Sequence, residues 1–228
     1  MILRVRCILF DMDGVLVSSL GSVERSWKIW AETRGVDPAL AIRTAHGRRA
    51  IETVRLLRPD LNDAEELKWI EDMEVEDNEG LEILRGVKPI LESLPEKYWT
   101  VVTSATDRLA RARMAYGGIP VPVRMITADM VTKGKPDPEP YRRGAELLSL
   151  QPEECLVIED SASGAKAGHA AGCKVLATLF SHSMESLAAA DWIVRSLEDV
   201  QVRSTDDQVE LEFAPLSREA AVASRSAH

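Results

Sequence analysis

A short apolar run, Cys7-Ile8-Leu9-Phe10, ends in Asp11-Met12-Asp13-Gly14, and this junction constrains the chain more than any other stretch. Val5 and Cys7 to Phe10 read as a buried strand, and Gly14 permits a sharp exit from it. Side chains two apart in extended chain point the same way, so Asp11 and Asp13 are expected to emerge together. The carboxyl end of a strand is where open α/β sheets place their active sites. Carboxylates held that close repel unless a cation or a shared proton relieves them. The arrangement suits chemistry on phosphate, although Asp and Gly also favour plain surface turns.

Three further segments follow in order. Trp99-Thr100-Val101-Val102-Thr103 reads as a strand ending at Ser104-Ala105-Thr106. Gly134-Lys135-Pro136 forms a loop, and Cys155-Leu156-Val157-Ile158 reads as a strand ending in Glu159-Asp160. Together with Asp11-Met12-Asp13-Gly14, these resemble the four signature motifs of the haloacid dehalogenase superfamily of phosphohydrolases, over about residues 5 to 200. Val15 stands where many relatives carry threonine, a position that supports packing more than chemistry.

The organisation agrees with that resemblance. Helical stretches at Val87 to Leu94, Arg108 to Tyr116, Glu139 to Leu148 and Ser161 to Ala171 alternate with strands at 99–103, Val123 to Ile126, 155–158 and Lys174 to Thr178. This alternation predicts a doubly wound, Rossmann-like parallel sheet covered on both faces. Residues 18–83 break the pattern. Val23, Trp27 and Trp30 share a helical face, Asp37-Pro38 reads as a cap with proline in the first turn, and two more helices follow. The expectation is a catalytic core of residues 1–17 and 84–203 with an all-helical cap, 18–83, inserted after the first strand. The tryptophans read as the core of that insert. Residues 204–228 read as a weakly ordered tail or a short packing extension.

The resemblance implies a role for each motif. Asp11 is the nucleophile that forms an aspartyl-phosphate, and Asp13 is the general acid and base. Mg²⁺ is held by Asp11, Asp160 and the Asp13 backbone carbonyl, with Glu159 ligating or orienting. Glu159 and Asp160 also suit a helix start electrostatically. Ser104 and the Ala105 backbone N–H bind a phosphoryl oxygen, and Lys135 couples the Asp11 carboxylate to the phosphate. Ser104 also reads as an ordinary cap. His46-Gly47-Arg48-Arg49 resembles the His-Gly-x-Arg stretch of small-polyol phosphatases, which makes Arg49 and then His46, beside Gly47, the substrate contacts; a solvent-facing helix start is the alternative. His169 and His182 read as structural or surface residues.

The expected activity is a Mg²⁺-dependent phosphatase for a small sugar or polyol phosphate. A sugar phosphomutase using the same aspartates is the alternative, followed by a catalytically silent binding module; a dehalogenase has no need of Asp13. A net charge of −9 offers no broad basic face for nucleic acid. No apolar stretch reaches membrane-spanning length. Cys7, Cys155 and Cys173 read as buried thiols of a reducing compartment, so a cytoplasmic monomer or weak homodimer is expected.

Overall fold

The computed structural model describes residues 1–217. In chain order, β1 (Ile2–Val5), β2 (Cys7–Phe10) and β3 (Val17–Ser18) precede α1 (Leu20–Arg34), α2 (Pro38–Ala45), α3 (Ala50–Leu57) and α4 (Asp63–Glu76). Then come β4 (Glu82–Ile83), α5 (Val87–Ser93), β5 (Trp99–Val101), α6 (Asp107–Gly117) and α7 (Glu139–Leu147). The chain continues through β6 (Cys155–Glu159), α8 (Ala162–Ala171), β7 (Lys174–Thr178), β8 (Trp192–Val194), β9 (Val200–Ser204) and β10 (Val209–Phe213).

Five strands form a parallel sheet in the order β5-β2-β6-β7-β8. Strand parity explains why β2 and β6 read as unbroken apolar runs. Ile8, Phe10, Leu156 and Ile158 pack into one apolar cluster, while Cys7, Leu9, Cys155 and Val157 pack into another, so each strand is buried on both faces. The register Phe10↔Ile158 sets the next positions, Asp11 and Glu159, side by side on the face that carries Tyr141.

Between β3 and β4 the four helices enclose their own core, with Trp27, Trp30, Val54 and Ile70 all buried. The two tryptophan rings meet edge to face at 5.2 Å, and Trp30 Nε1 donates to Glu66 at 2.7 Å. Asp37 caps α2 by accepting from the Leu40 N–H, and Asn62 caps α4. The two chain crossings into this helical unit pair as an antiparallel β3–β4 ribbon, Val17↔Ile83 and Ser18↔Glu82.

One expected strand is absent. Val123 to Ile126 is not a strand: it contributes a single bridge, Val102↔Ile126, and Val123 is exposed after Pro120 and Pro122, which lack ladder donors. Of the two readings of the tail, the described part forms the packing extension. Val209 to Phe213 runs between β1 and β9 in a three-stranded antiparallel sheet, burying Val209, Leu211 and Phe213 at alternate positions. Residues 218–228 lie outside the described region.

Candidate active site

The parallel register brings the ends of β2 and β6 together. Asp11 N–H donates to the Ile158 carbonyl at 2.9 Å, and Val102 N–H donates to Phe10 at 2.8 Å. Ligand oxygens of Asp11, Glu159 and Asp160 lie within 4.8 Å of one another, and all three residues are buried. Gly14 makes this approach possible: at φ +79° it has no Cβ, and one placed there would stand 1.9 Å from Asp160 Oδ2.

Lys135 enters the cluster from the loop before α7. Its ammonium stands 2.9 Å from Asp11 Oδ1 and 2.7 Å from Glu159 Oε1, and donates to the Val102 carbonyl at 3.0 Å. Glu159 also accepts from the Tyr141 hydroxyl at 2.7 Å, from the Ser161 hydroxyl, and from the Asp160 and Ser161 backbone N–H groups. Its two oxygens are occupied by this hydrogen bonding, so its visible work is to hold Lys135.

The electrostatics show a surplus of negative charge. Burial, then Glu159, pushes the Asp11 carboxyl well above its usual range, against the pull of Lys135. Burial, then Glu159, lifts Asp160 to about 7. Burial works against the Glu159 carboxylate too, but Lys135 and its hydrogen-bond donors hold it below the ordinary value. One ammonium therefore does not balance three carboxylates, and an all-oxygen donor set with excess negative charge fits a hard divalent cation.

Asp13 departs from the expected geometry. The chain leaves the extended conformation after Phe10, and the N–H groups of Leu16 and Val17 both turn back to the Met12 carbonyl. Asp13 Oδ1 accepts instead from Ser19 Oγ at 2.6 Å and Arg113 Nη1 at 2.9 Å. Its carboxylate lies outside the cluster of Asp11, Glu159 and Asp160, although Asp11 and Asp13 both line the same cavity.

A cavity of about 250 Å³ opens above these groups. Ser104 lines it, half-buried. The Ala105 N–H donates to Thr103 Oγ1 at 3.1 Å, so reaching a phosphoryl oxygen would mean sharing that donor. From the helical unit come Trp27, His46, Gly47 and Ile70, and His46 Nε2 is buried without a partner among the described residues. Gly47, at φ +68°, lets its carbonyl accept from Ser163 on α8 at 2.9 Å.

Arg49 also borders the cavity, but its guanidinium is engaged elsewhere. Nη1 donates to the Val131 carbonyl at 2.8 Å, Nη2 to Thr132 at 2.9 Å, and Nε to Glu52 at 2.9 Å. Glu52 also accepts from the Gly134 N–H at 3.1 Å. The expected substrate contact is thus, in this arrangement, a clamp between α3 and the loop that carries Lys135.

Sequence reasoning missed several neighbours. Arg113, Glu74 and Ser19 surround Asp13, while Ser181 and His182 face the cavity beside Asp160. Ser181 Oγ bonds Asp160 and lies 2.7 Å from His182 Nδ1, so of the two readings of His182 the structural one holds. An arginine in a polar helix carries no sequence signal for burial. His182 sits in a loop with no motif around it.

A family model for haloacid dehalogenase-like hydrolases matches residues 5–172. The chain belongs to that family. It is 38% identical to hexitol phosphatase A of Escherichia coli, over 88% of this chain and 95% of that protein. It is 32% identical to glycerol-1-phosphate phosphohydrolase 2 of Saccharomyces cerevisiae, over 92% and 91%. Its fold matches CbbY of Rhodobacter sphaeroides in complex with phosphate, with TM-score 0.74 and 22% identity over 85% of this chain and 95% of the other. The β-phosphoglucomutase of Clostridium difficile gives TM-score 0.73 at 19% identity, over 86% and 93%. The family's relatives bear phosphatase names, and this member is accordingly a phosphoric monoester hydrolase. Among the described residues no helix is long and apolar enough to cross a membrane.

Proposed function

We propose that the protein hydrolyses a small sugar or polyol phosphate monoester through an aspartyl-phosphate on Asp11, with Mg²⁺ as cofactor. The observation that carries this reading is that Asp11 and Asp160 line a small cavity, with Lys135 paired to Asp11 behind them. The hexitol and glycerol phosphatases among the relatives support the substrate class.

In this mechanism Asp11 attacks phosphorus and the bond to the ester oxygen breaks. Asp13 protonates the departing alkoxide and then takes a proton from the water that releases inorganic phosphate. Ser104 and the Ala105 N–H bind phosphoryl oxygens. Lys135 keeps the attacking carboxylate oriented and offsets phosphoryl charge, itself held by Glu159 and Tyr141. Asp11 and Asp160 side chains and the Asp13 backbone carbonyl are the residues to hold Mg²⁺, which on binding would neutralise the crowded carboxylates and polarise the phosphoryl group. Glu159 serves this site by fixing Lys135.

The helical unit, residues 18–83, is the cap that excludes bulky substrates, and His46, beside Gly47, is the substrate contact we favour from it. One chain supplies every group of the site, so activity as a monomer or weak homodimer suffices. The buried, unpaired Cys7, Cys155 and Cys173 favour a reducing cytoplasm.

Phosphate release from glycerol, hexitol, hexose and nucleoside monophosphates, with Mg²⁺ present and Asp11→Asn as control, tests the proposal. Release from a polyol or sugar phosphate that vanishes in the control supports it. No release from any ester, or full activity in Asp11→Asn, overturns it. A requirement for a sugar bisphosphate with little phosphate released would indicate a mutase instead.

A further inference from the structure

Arg113 lies on α6 with 2% of its surface exposed, yet it serves two carboxylates from different parts of the fold. Nη1 donates to Asp13 Oδ1 at 2.9 Å, and Nη2 donates to Glu74 Oε2 at 3.0 Å. Glu74 belongs to α4, the last helix of the helical unit, and is itself 7% exposed. Asp13 Oδ1 takes a second hydrogen bond from Ser19, just before α1. The carboxylate is thereby held between a core helix and both ends of the helical insert.

Stability does not account for this arrangement. A buried ion pair commonly adds nothing over well-packed apolar side chains, because desolvation cancels the attraction. Arg113 moreover leaves its Nε buried with no partner among the described residues, a further cost. Arg113 and Glu74 both line the cavity. A costly guanidinium at the cavity wall, spanning Asp13 and Glu74, is explained by where it holds the Asp13 carboxylate.

We infer that Arg113 is the positioning residue for Asp13, and that Glu74 makes this positioning depend on docking of the helical unit against the core. The inference rests on the reading of Asp13 as proton donor. Arg113, which orients Asp13, takes its second carboxylate from α4, so proton delivery is organised together with docking of α4 on α6. Thr106 and Arg108 on the core side, bonded to Glu71 of α4, mark the same docking surface.

The experiment compares kcat/KM for benzyl phosphate and p-nitrophenyl phosphate, esters of similar size, with Mg²⁺ present. This ratio reports the first transfer, where the ester bond breaks. A basic alkoxide needs the proton, whereas p-nitrophenolate leaves without it. Asp13→Asn should lower the benzyl ester at least about tenfold more than the nitrophenyl ester. Arg113→Met should show a split in the same direction. Arg113→Lys keeps the charge but cannot span both carboxylates, so it should split the two esters too, and it decides the matter if the methionine variant does not fold. A split in Asp13→Asn with parallel losses, or none, in the Arg113 variants overturns the positioning role alone. No split in Asp13→Asn overturns the proton-donor reading and this inference with it.

Discussion

Gly14 and Asp160 pack so closely that a Cβ at position 14 would overlap the Asp160 carboxylate, at 1.9 Å from Oδ2. Gly14→Ala should therefore push Asp160 out of the acidic cluster. The positive φ adds about 1–2 kcal/mol of backbone cost. We expect a lower melting temperature and loss of the Mg²⁺ response in calorimetry. Unchanged magnesium affinity would show that Asp160 is not needed where it stands.

Asp160 makes the ion-free protein sensitive to pH. Its carboxyl rises from the ordinary 3.8 to about 7 on folding. Between those values the folded state binds more protons than the unfolded chain, so its contribution to stability falls as pH increases from about 4 to about 7. Asp160→Asn should raise the ion-free melting temperature near pH 8 by at least about 2 °C, scaled from a stability change of about 1 kcal/mol.

Magnesium should act in the opposite sense, since it competes with the proton at Asp160. A free concentration of one hundred times Kd is worth about 2.7 kcal/mol of stability. The magnesium-induced rise in melting temperature should therefore be larger near pH 8 than near pH 5.5, and absent in Asp160→Asn. A rise that is equal at both pH values would speak against binding at this cluster.

Lys135→Met removes the one ammonium shared by Asp11 and Glu159. Breaking a buried charge pair from one side costs about 3–5 kcal/mol. Urea denaturation should report a loss of that order, accompanied by failure to form phosphoenzyme. A small stability change would mean that the carboxylates find another partner.

Arg49→Ala should loosen the loop before Lys135 and not alter selectivity. Charged hydrogen bonds of this kind contribute about 1.5–3 kcal/mol. Faster amide exchange over residues 131–135 and equal activity losses on polyol and aryl phosphates are expected. A shift in substrate preference with unchanged exchange would restore Arg49 as a substrate contact.

Much of this molecule could be read along the chain. The apolar strands ending in Asp11 and in Glu159-Asp160 were legible because burial on both faces leaves continuous runs of Cys, Ile, Leu, Val and Phe. The helical insert announced itself by the spacing of Val23, Trp27 and Trp30 and by the cap at Asp37. These are local signals, written in neighbours a few residues apart. Val209 to Phe213 was harder, because its partners in β1 lie some two hundred residues away, as in Ile2↔Glu212.

The meeting of Asp11, Asp160 and Lys135 followed from the motifs, but the tertiary structure alone decided the other polar partnerships. The turn after Phe10 sends Asp13 to Arg113, 100 residues on, although extended chain would have left it beside Asp11. The same folding commits Arg49 to the Val131 and Thr132 carbonyls and brings Glu74 to Arg113. Periodicity records which face of an element is apolar. A buried charge takes its role from distant partners that compensate it, and those are assigned only when the chain packs.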